Sequence, residues 1–147
     1  MGQPVVTKAG RLTVDELLKF LATHCSFLVT NPQYKIVDSS TSDSFGNALL
    51  VMESGTLRLR FTRDRGRLLM EFQAMDGRPS EWFSPGLLRG LITGDRGGSE
   101  VLNPGWAEFL ESALPELESR VSDPSSRDTT LMQLRSQAQQ RAHDLFG

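Results

Sequence analysis

Between Gly55 and Met75 the chain keeps a two-residue rhythm of the kind shown by strands that bury one face only. Leu57, Leu59 and Phe61 alternate with Thr56, Arg58, Arg60 and Thr62, and Leu68, Met70 and Phe72 alternate with Arg67, Leu69, Glu71 and Gln73. Asp64-Arg65-Gly66 supplies turn chemistry between the runs, so they form an antiparallel hairpin. Residues directly opposite in such a pair share a face, and apolar must meet apolar. A three-residue loop over 64–66 would set Leu59 against Glu71 and is rejected. A loop of two or four residues sets Phe61 against Leu68 or Met70, and Glu71 against Arg58 or Arg60. An even loop is therefore expected, with a Glu71–arginine pair on the open face contributing about 0.2–1 kcal/mol.

With 147 residues, the chain has room for one domain, 1–147, with a real core. Residues 1–11 read as a loose arm or a short edge strand. Thr13-Val-Asp-Glu16 has the pattern of a capping box, with Leu12 and Leu17 spaced as a hydrophobic staple. Val14, Leu17, Leu18, Leu21, Cys25 and Leu28 recur at helical spacing, and Asn31-Pro32 ends that helix. Tyr34 to Asp38 opens the sheet, Ser39 to Gly46 reads as a mobile loop, and Ala48 to Glu53 is the next strand. A Ser54-Gly55 turn would pair Met52 with Leu57 and Leu50 with Leu59. It would also put Leu49 and Val51 on the face carrying Arg58 and Arg60.

Glu81-Trp82-Phe83 is a candidate last strand. Ser84-Pro85 and Asn103-Pro104 both read as an N-cap followed by the first helical residue. The second of these helices carries Trp106, Phe109, Leu110, Ala113, Leu117 and Val121 on one face, and Pro115 is expected to kink or split it. Glu108, Glu111, Glu116 and Glu118 are assigned to its outer side. Residues 122–127 read as a linker to a C-terminal helix with a thin stripe of Leu131, Leu134, Ala138, Ala142 and Leu145. That stripe either folds back on the domain, which is favoured, or forms a weak homodimer. The sum is α+β: an N-terminal helix, a four- to five-stranded antiparallel meander, then three to four helices packed mainly on one face.

A net charge of −2 gives no global pull toward nucleic acid or anionic membrane. The single cysteine excludes an intrachain disulfide, no apolar run spans a bilayer, and a cytoplasmic location is expected. His24 and Cys25 are adjacent on a helix, about 100° apart, and cannot share a hydrogen bond; Cys25 falls on the apolar stripe as a buried thiol. His143 reads as solvated. Gly94-Asp-Arg-Gly97-Gly98 lacks the Lys-Ser/Thr of a phosphate loop. No catalytic, cofactor or metal set emerges, and a non-enzymatic protein is expected.

One constellation remains: Arg58, Arg60, Arg63, Arg65 and Arg67 on one open sheet face and its turn, interleaved with Leu49, Val51 and Leu69. A solvated face, with arginine stems lying over aliphatic neighbours, is the plain alternative. A nucleic-acid surface would want aromatics among the cations, and the outward strand positions supply none. Arginine beside apolar groups matches a protein-docking face.

The run from Phe61 to Phe72, then Trp82-Phe83-Ser84 opening a short helix, then Leu114-Pro115-Glu-Leu117, resembles small bacterial cytoplasmic α+β proteins of the polymorphic-toxin immunity type. The resemblance spans roughly residues 34 to 121. It implies a protein that binds a partner toxin domain and neutralises it, through the arginine-bearing face or the acidic helix. The mild charge balance departs from inhibitors of basic nucleases. The alternative is a regulatory or nucleic-acid-binding module using the Arg58–Arg67 basic face.

Overall fold

A computed structural model describes residues 8–42, 47–95 and 99–146. The elements run α1 (Lys8–His24), α2 (Ser26–Val29), β1 (Lys35–Ser42), β2 (Asn47–Glu53), β3 (Leu57–Asp64), β4 (Arg67–Ala74), α3 (Pro85–Thr93), α4 (Pro104–Ser122) and α5 (Pro124–Phe146). The strands form an antiparallel meander in the order β1-β2-β3-β4. The candidate fifth strand is reduced to a single bridge, in which Phe83 and Phe72 exchange two backbone hydrogen bonds of 2.8 Å.

The β3–β4 hairpin has the even loop. Asp64 pairs with Arg67, Phe61 with Met70 and Arg60 with Glu71. Its two turn residues, Arg65 and Gly66, have φ of 52° and 81°. That double left-handed turn follows the strand twist, and costs about 1 kcal/mol at a non-glycine residue such as Arg65. The β2–β3 turn falls one residue later than expected. Glu53 pairs with Arg58, Met52 with Leu59 and Leu50 with Phe61, so the turn is Gly55-Thr56. Face assignment survives, because moving a two-residue turn by one position changes pairings by two residues.

The apolar face of the sheet is buried by helices. Leu50, Met52, Leu57, Leu59, Phe61, Met70 and Phe72 meet Leu17 and Leu21 of α1, Leu28 of α2, Leu88 of α3, and Leu110, Leu114 and Leu117 of α4. The N-terminal helix departs from expectation at both ends. It begins at Lys8, so Thr13 lies inside it rather than at its cap, and it breaks at Cys25 before the short α2. Glu16 lies beside Arg63, with 3.1 Å between its Oε2 and the arginine Nε. The side chains of residues 8–14, including Leu12 of the expected staple, lie outside the described residues, as do residues 1–7 of the arm. β1 continues to Ser42 through much of the expected loop, whose residues 43–46 are also outside the described set.

Gly94 closes α3 with φ of 79°, and the Asn103 side chain accepts from the Trp106 backbone N–H at 2.8 Å to cap α4. α4 runs through Pro115 as one helix. The stretch 122–127 is not a linker: only Asp123 separates α4 from α5. Its carboxylate accepts from the backbone N–H and hydroxyl of Ser125, at 2.9 and 2.8 Å, closing the corner.

α5 folds back on the domain. Leu131 and Leu134 are buried in the core and Ala138 packs against it, while Ala142 and Leu145 are exposed. Arginines flank that stripe. Arg127 reaches Asp76 at 2.6 Å, Arg135 holds Glu81 in a fork of 2.8 and 2.9 Å, and Arg141 pairs with Glu100. Hydrogen bonding to Arg135 and to Arg127 holds the Glu81 and Asp76 carboxyls below the usual carboxylate range. Both straps therefore act fully above that range and weaken as pH falls through it.

Candidate functional site

Among the described residues, no helix lies over the centre of the second face of the sheet. Reading across β2, β3 and β4, its rungs are Glu53–Arg58–Gln73, Val51–Arg60–Glu71 and Leu49–Thr62–Leu69, with Asp64–Arg67 at the hairpin end. The parity that buries Leu57, Leu59 and Phe61 sends these side chains the other way. An open depression of about 470 Å³ lies over the third rung, with Arg60, Glu71 and Ser40 among its walls and no helix residue lining it.

The arginines are not a bare cationic field. Arg58 bonds Glu53 at 2.6 Å and the Gln73 side-chain oxygen at 2.8 Å. Arg60 bonds Glu71 at 2.5 Å, and its guanidinium lies 4.1 Å from the centre of the Trp82 ring. Both are partly exposed. Gln73 is only 2 % exposed, because the segment after β4 turns over it and the Pro79 carbonyl accepts from its amide at 3.0 Å. That same turn brings Trp82 onto Arg60. An aromatic therefore does sit on this face, delivered by a loop rather than by a strand.

Two sequence expectations need correction. Arg63 has the parity of Phe61 and belongs to the helix side, where it meets Glu16. Val51 faces the open side as expected but is buried, so it supports Arg60 from across the rung instead of offering contact surface. Leu49 and Leu69 remain half-buried, Arg67 is 56 % exposed, and Arg65 at the turn tip is 84 % exposed. Positive and negative charges on the face balance: Lys35, Arg58, Arg60 and Arg67 against Asp38, Glu53, Asp64 and Glu71.

Arg58→Ala is expected to cost about 1–2 kcal/mol, since it strands the buried Gln73 oxygen. Arg60→Ala should cost less than about 1 kcal/mol, losing one exposed ion pair and one stack. Urea unfolding of the two variants checks the order; a larger loss at Arg60 would contradict it.

A second polar constellation was not visible in the sequence. One oxygen of Glu118 accepts from the hydroxyls of Tyr34, Ser54 and Thr56, at 2.9, 2.8 and 3.2 Å. Ser54 in turn accepts from the backbone N–H groups of Thr56 and Leu57, at 3.2 and 3.0 Å. Glu118 therefore faces the β2–β3 turn, not solvent with Glu108, Glu111 and Glu116. Burial, reinforced by the Glu118 charge, pushes the Tyr34 hydroxyl well above its ordinary range, so it stays a donor. The cluster ties α4 to the sheet, and its serine hydroxyl is committed to the turn.

Cys25 is a buried free thiol, pushed up to about 12 by desolvation, whereas His24 is exposed beside Phe20, with ring centres 5.0 Å apart. Among the described residues no group of three or more His, Cys, Asp or Glu could hold a metal, and no helix is long and apolar enough to cross a membrane. Residues 96–98 of the glycine-rich loop lie outside the described set. No protein-family model, curated protein or solved structure matches the chain.

Proposed function

We propose that this chain is a non-enzymatic, immunity-type inhibitor that neutralises a cognate bacterial toxin in the cytoplasm by docking its helix-free sheet face on the toxin domain. The observation that carries the proposal is the middle of that face, where Arg60 stacks beside Trp82 and half-buried Leu49 and Leu69 border an open depression. Tryptophan and arginine are the residues most enriched at the centres of protein interfaces, and apolar neighbours exclude water around them. Internal pairing of Arg58, Arg60 and Arg67 leaves little field to steer a polyanion. The acidic row of α4 is the weaker docking candidate, since Glu116 is paired with Arg120 and Glu118 turns inward.

The nucleic-acid alternative draws on one observation, the exposed Arg65 and Arg67 at the hairpin tip with Trp82 on the same face as Arg67. Salt separates the two. Counterion release weakens nucleic-acid binding steeply with added salt, whereas a partly apolar protein interface loses much less. The test is growth rescue: the product of the adjacent upstream gene is expressed in a bacterial host with and without this chain. The expected result is toxicity relieved by the chain. A harmless neighbour, or toxicity unaffected by co-expression, would contradict the proposal.

A further inference from the structure

The two outer edges of the sheet differ. β4 is stitched on its outer side: Phe83 bridges Phe72, and the Leu102 N–H donates to the Leu68 carbonyl at 2.7 Å. Among the described residues, no backbone hydrogen bond reaches the outer side of β1. Its apolar pair, Ile36 and Val37, is 55 % and 50 % exposed. Leu18 of α1 and Val29 of α2 are also exposed, so among the described residues four of the six large exposed apolar side chains belong to β1 and the two helices that precede it.

Charge distinguishes the same strand. On the open face Arg58, Arg60 and Arg67 each have a carboxylate partner, and Glu53, Glu71 and Asp64 are those partners. Lys35 and Asp38 are the two charges of that face with no ion pair among the described residues. They stand three positions apart, and in a regular strand they would point to opposite faces. β1 is not regular there. Lys35 pairs with Glu53 and Asp38 with Val51, two residues apart on β2 and so on neighbouring rungs of one face, because an extra residue is inserted between Ile36 and Asp38. The bulge therefore turns Lys35 and Asp38 to the same face and gives them the same sense along the strand edge.

We propose that β1 is a self-pairing edge, along which two copies of this chain join antiparallel about a two-fold axis through the bulge. Lys35 of each copy then meets Asp38 of the other. Ile36 and Val37 of both copies close over each other between the two ion pairs, as an isologous contact requires. Charges and a bulge also blunt an edge against foreign strands. Here the same devices admit one partner, the chain's own β1 in one register. The edge adjoins the proposed docking face, whose depression Ser40 of the same strand borders, but the inference does not rest on that reading.

Sedimentation equilibrium of the purified chain tests this, with Asp38→Lys and Lys35→Asp measured alone and mixed. Lys35 and Asp38 are both exposed, so both variants are expected to fold, which circular dichroism verifies. The wild type is expected to dimerise with rising concentration. Each variant alone, facing like charges at both pairs, should dissociate at least about tenfold more readily. An equimolar mixture should regain dimer as a heterodimer. A wild type that stays monomeric overturns the proposal. So does a dimer indifferent to both variants, which would point to a contact such as the exposed Met132–Leu145 flank of α5, and so does a mixture that fails to recover.

Discussion

Replacing Phe61 by alanine is expected to lower the unfolding free energy by about 3–5 kcal/mol. The ring is fully buried at the centre of β3, opposite Leu50 on one side and Met70 on the other, and it belongs to the core closed by α1 and α4. Removing it leaves a cavity between rigid layers that cannot collapse without moving a helix. A domain of this size has about 5–15 kcal/mol in hand, so the variant approaches marginal stability. Thr62, the next residue, faces the other way and is only partly buried; Thr62→Ala should stay within about 0.5 kcal/mol. Urea denaturation of the two variants reads the sheet's two-faced character directly. Comparable losses at 61 and 62 would contradict it.

Glu118→Ala is expected to cost about 2–3 kcal/mol, an unusual amount for a glutamate, because it strands the buried hydroxyls of Tyr34 and Ser54 together. Thr56 loses a longer contact and is less enclosed. Glu118→Gln keeps an acceptor oxygen and should lose about 1 kcal/mol or less. Glu111→Ala, at an exposed position of the same helix, serves as the control and should be nearly neutral. Thermal and urea unfolding of the three variants provide the check. If Glu118→Ala behaved like Glu111→Ala, the hydroxyl cluster would not be anchoring α4 to the β2–β3 turn.

What could be read from residue order alone divides along physical lines. The Phe61–Met70 and Arg60–Glu71 pairings were legible because alternation and a short loop leave few registers that keep apolar against apolar. The β2–β3 turn slipped by one residue because Ser54 is bound by Glu118, a partner 64 positions away that no local pattern announces. Residue order puts Glu118 on the outer side of its helix, although the groups that satisfy it come from the sheet and the segment leading into it. Arg63 shows residue type overriding parity: its position in the alternation already placed it with Phe61, and Glu16 of α1 supplies the counter-charge that makes this tolerable. The Arg60–Trp82 stack was hidden for another reason. Trp82 reaches the open face through the turn anchored on Gln73, and loop paths leave no periodic trace. At residues 122–127, small polar composition suggested a linker, yet serine beside Asp123 and Pro124 equally suits a helix start.

The proposed docking face is tested most directly by calorimetric titration of the product of the adjacent upstream gene, using the wild-type chain and Leu69→Asp. Leu69 lies on the open face beside the Arg60–Glu71 pair, half-buried and outside the helical core. The predicted result is saturable binding by the wild type and about thirtyfold or greater loss for Leu69→Asp, with an unchanged unfolding midpoint. Equal affinity of the two chains for that product would contradict the proposed face.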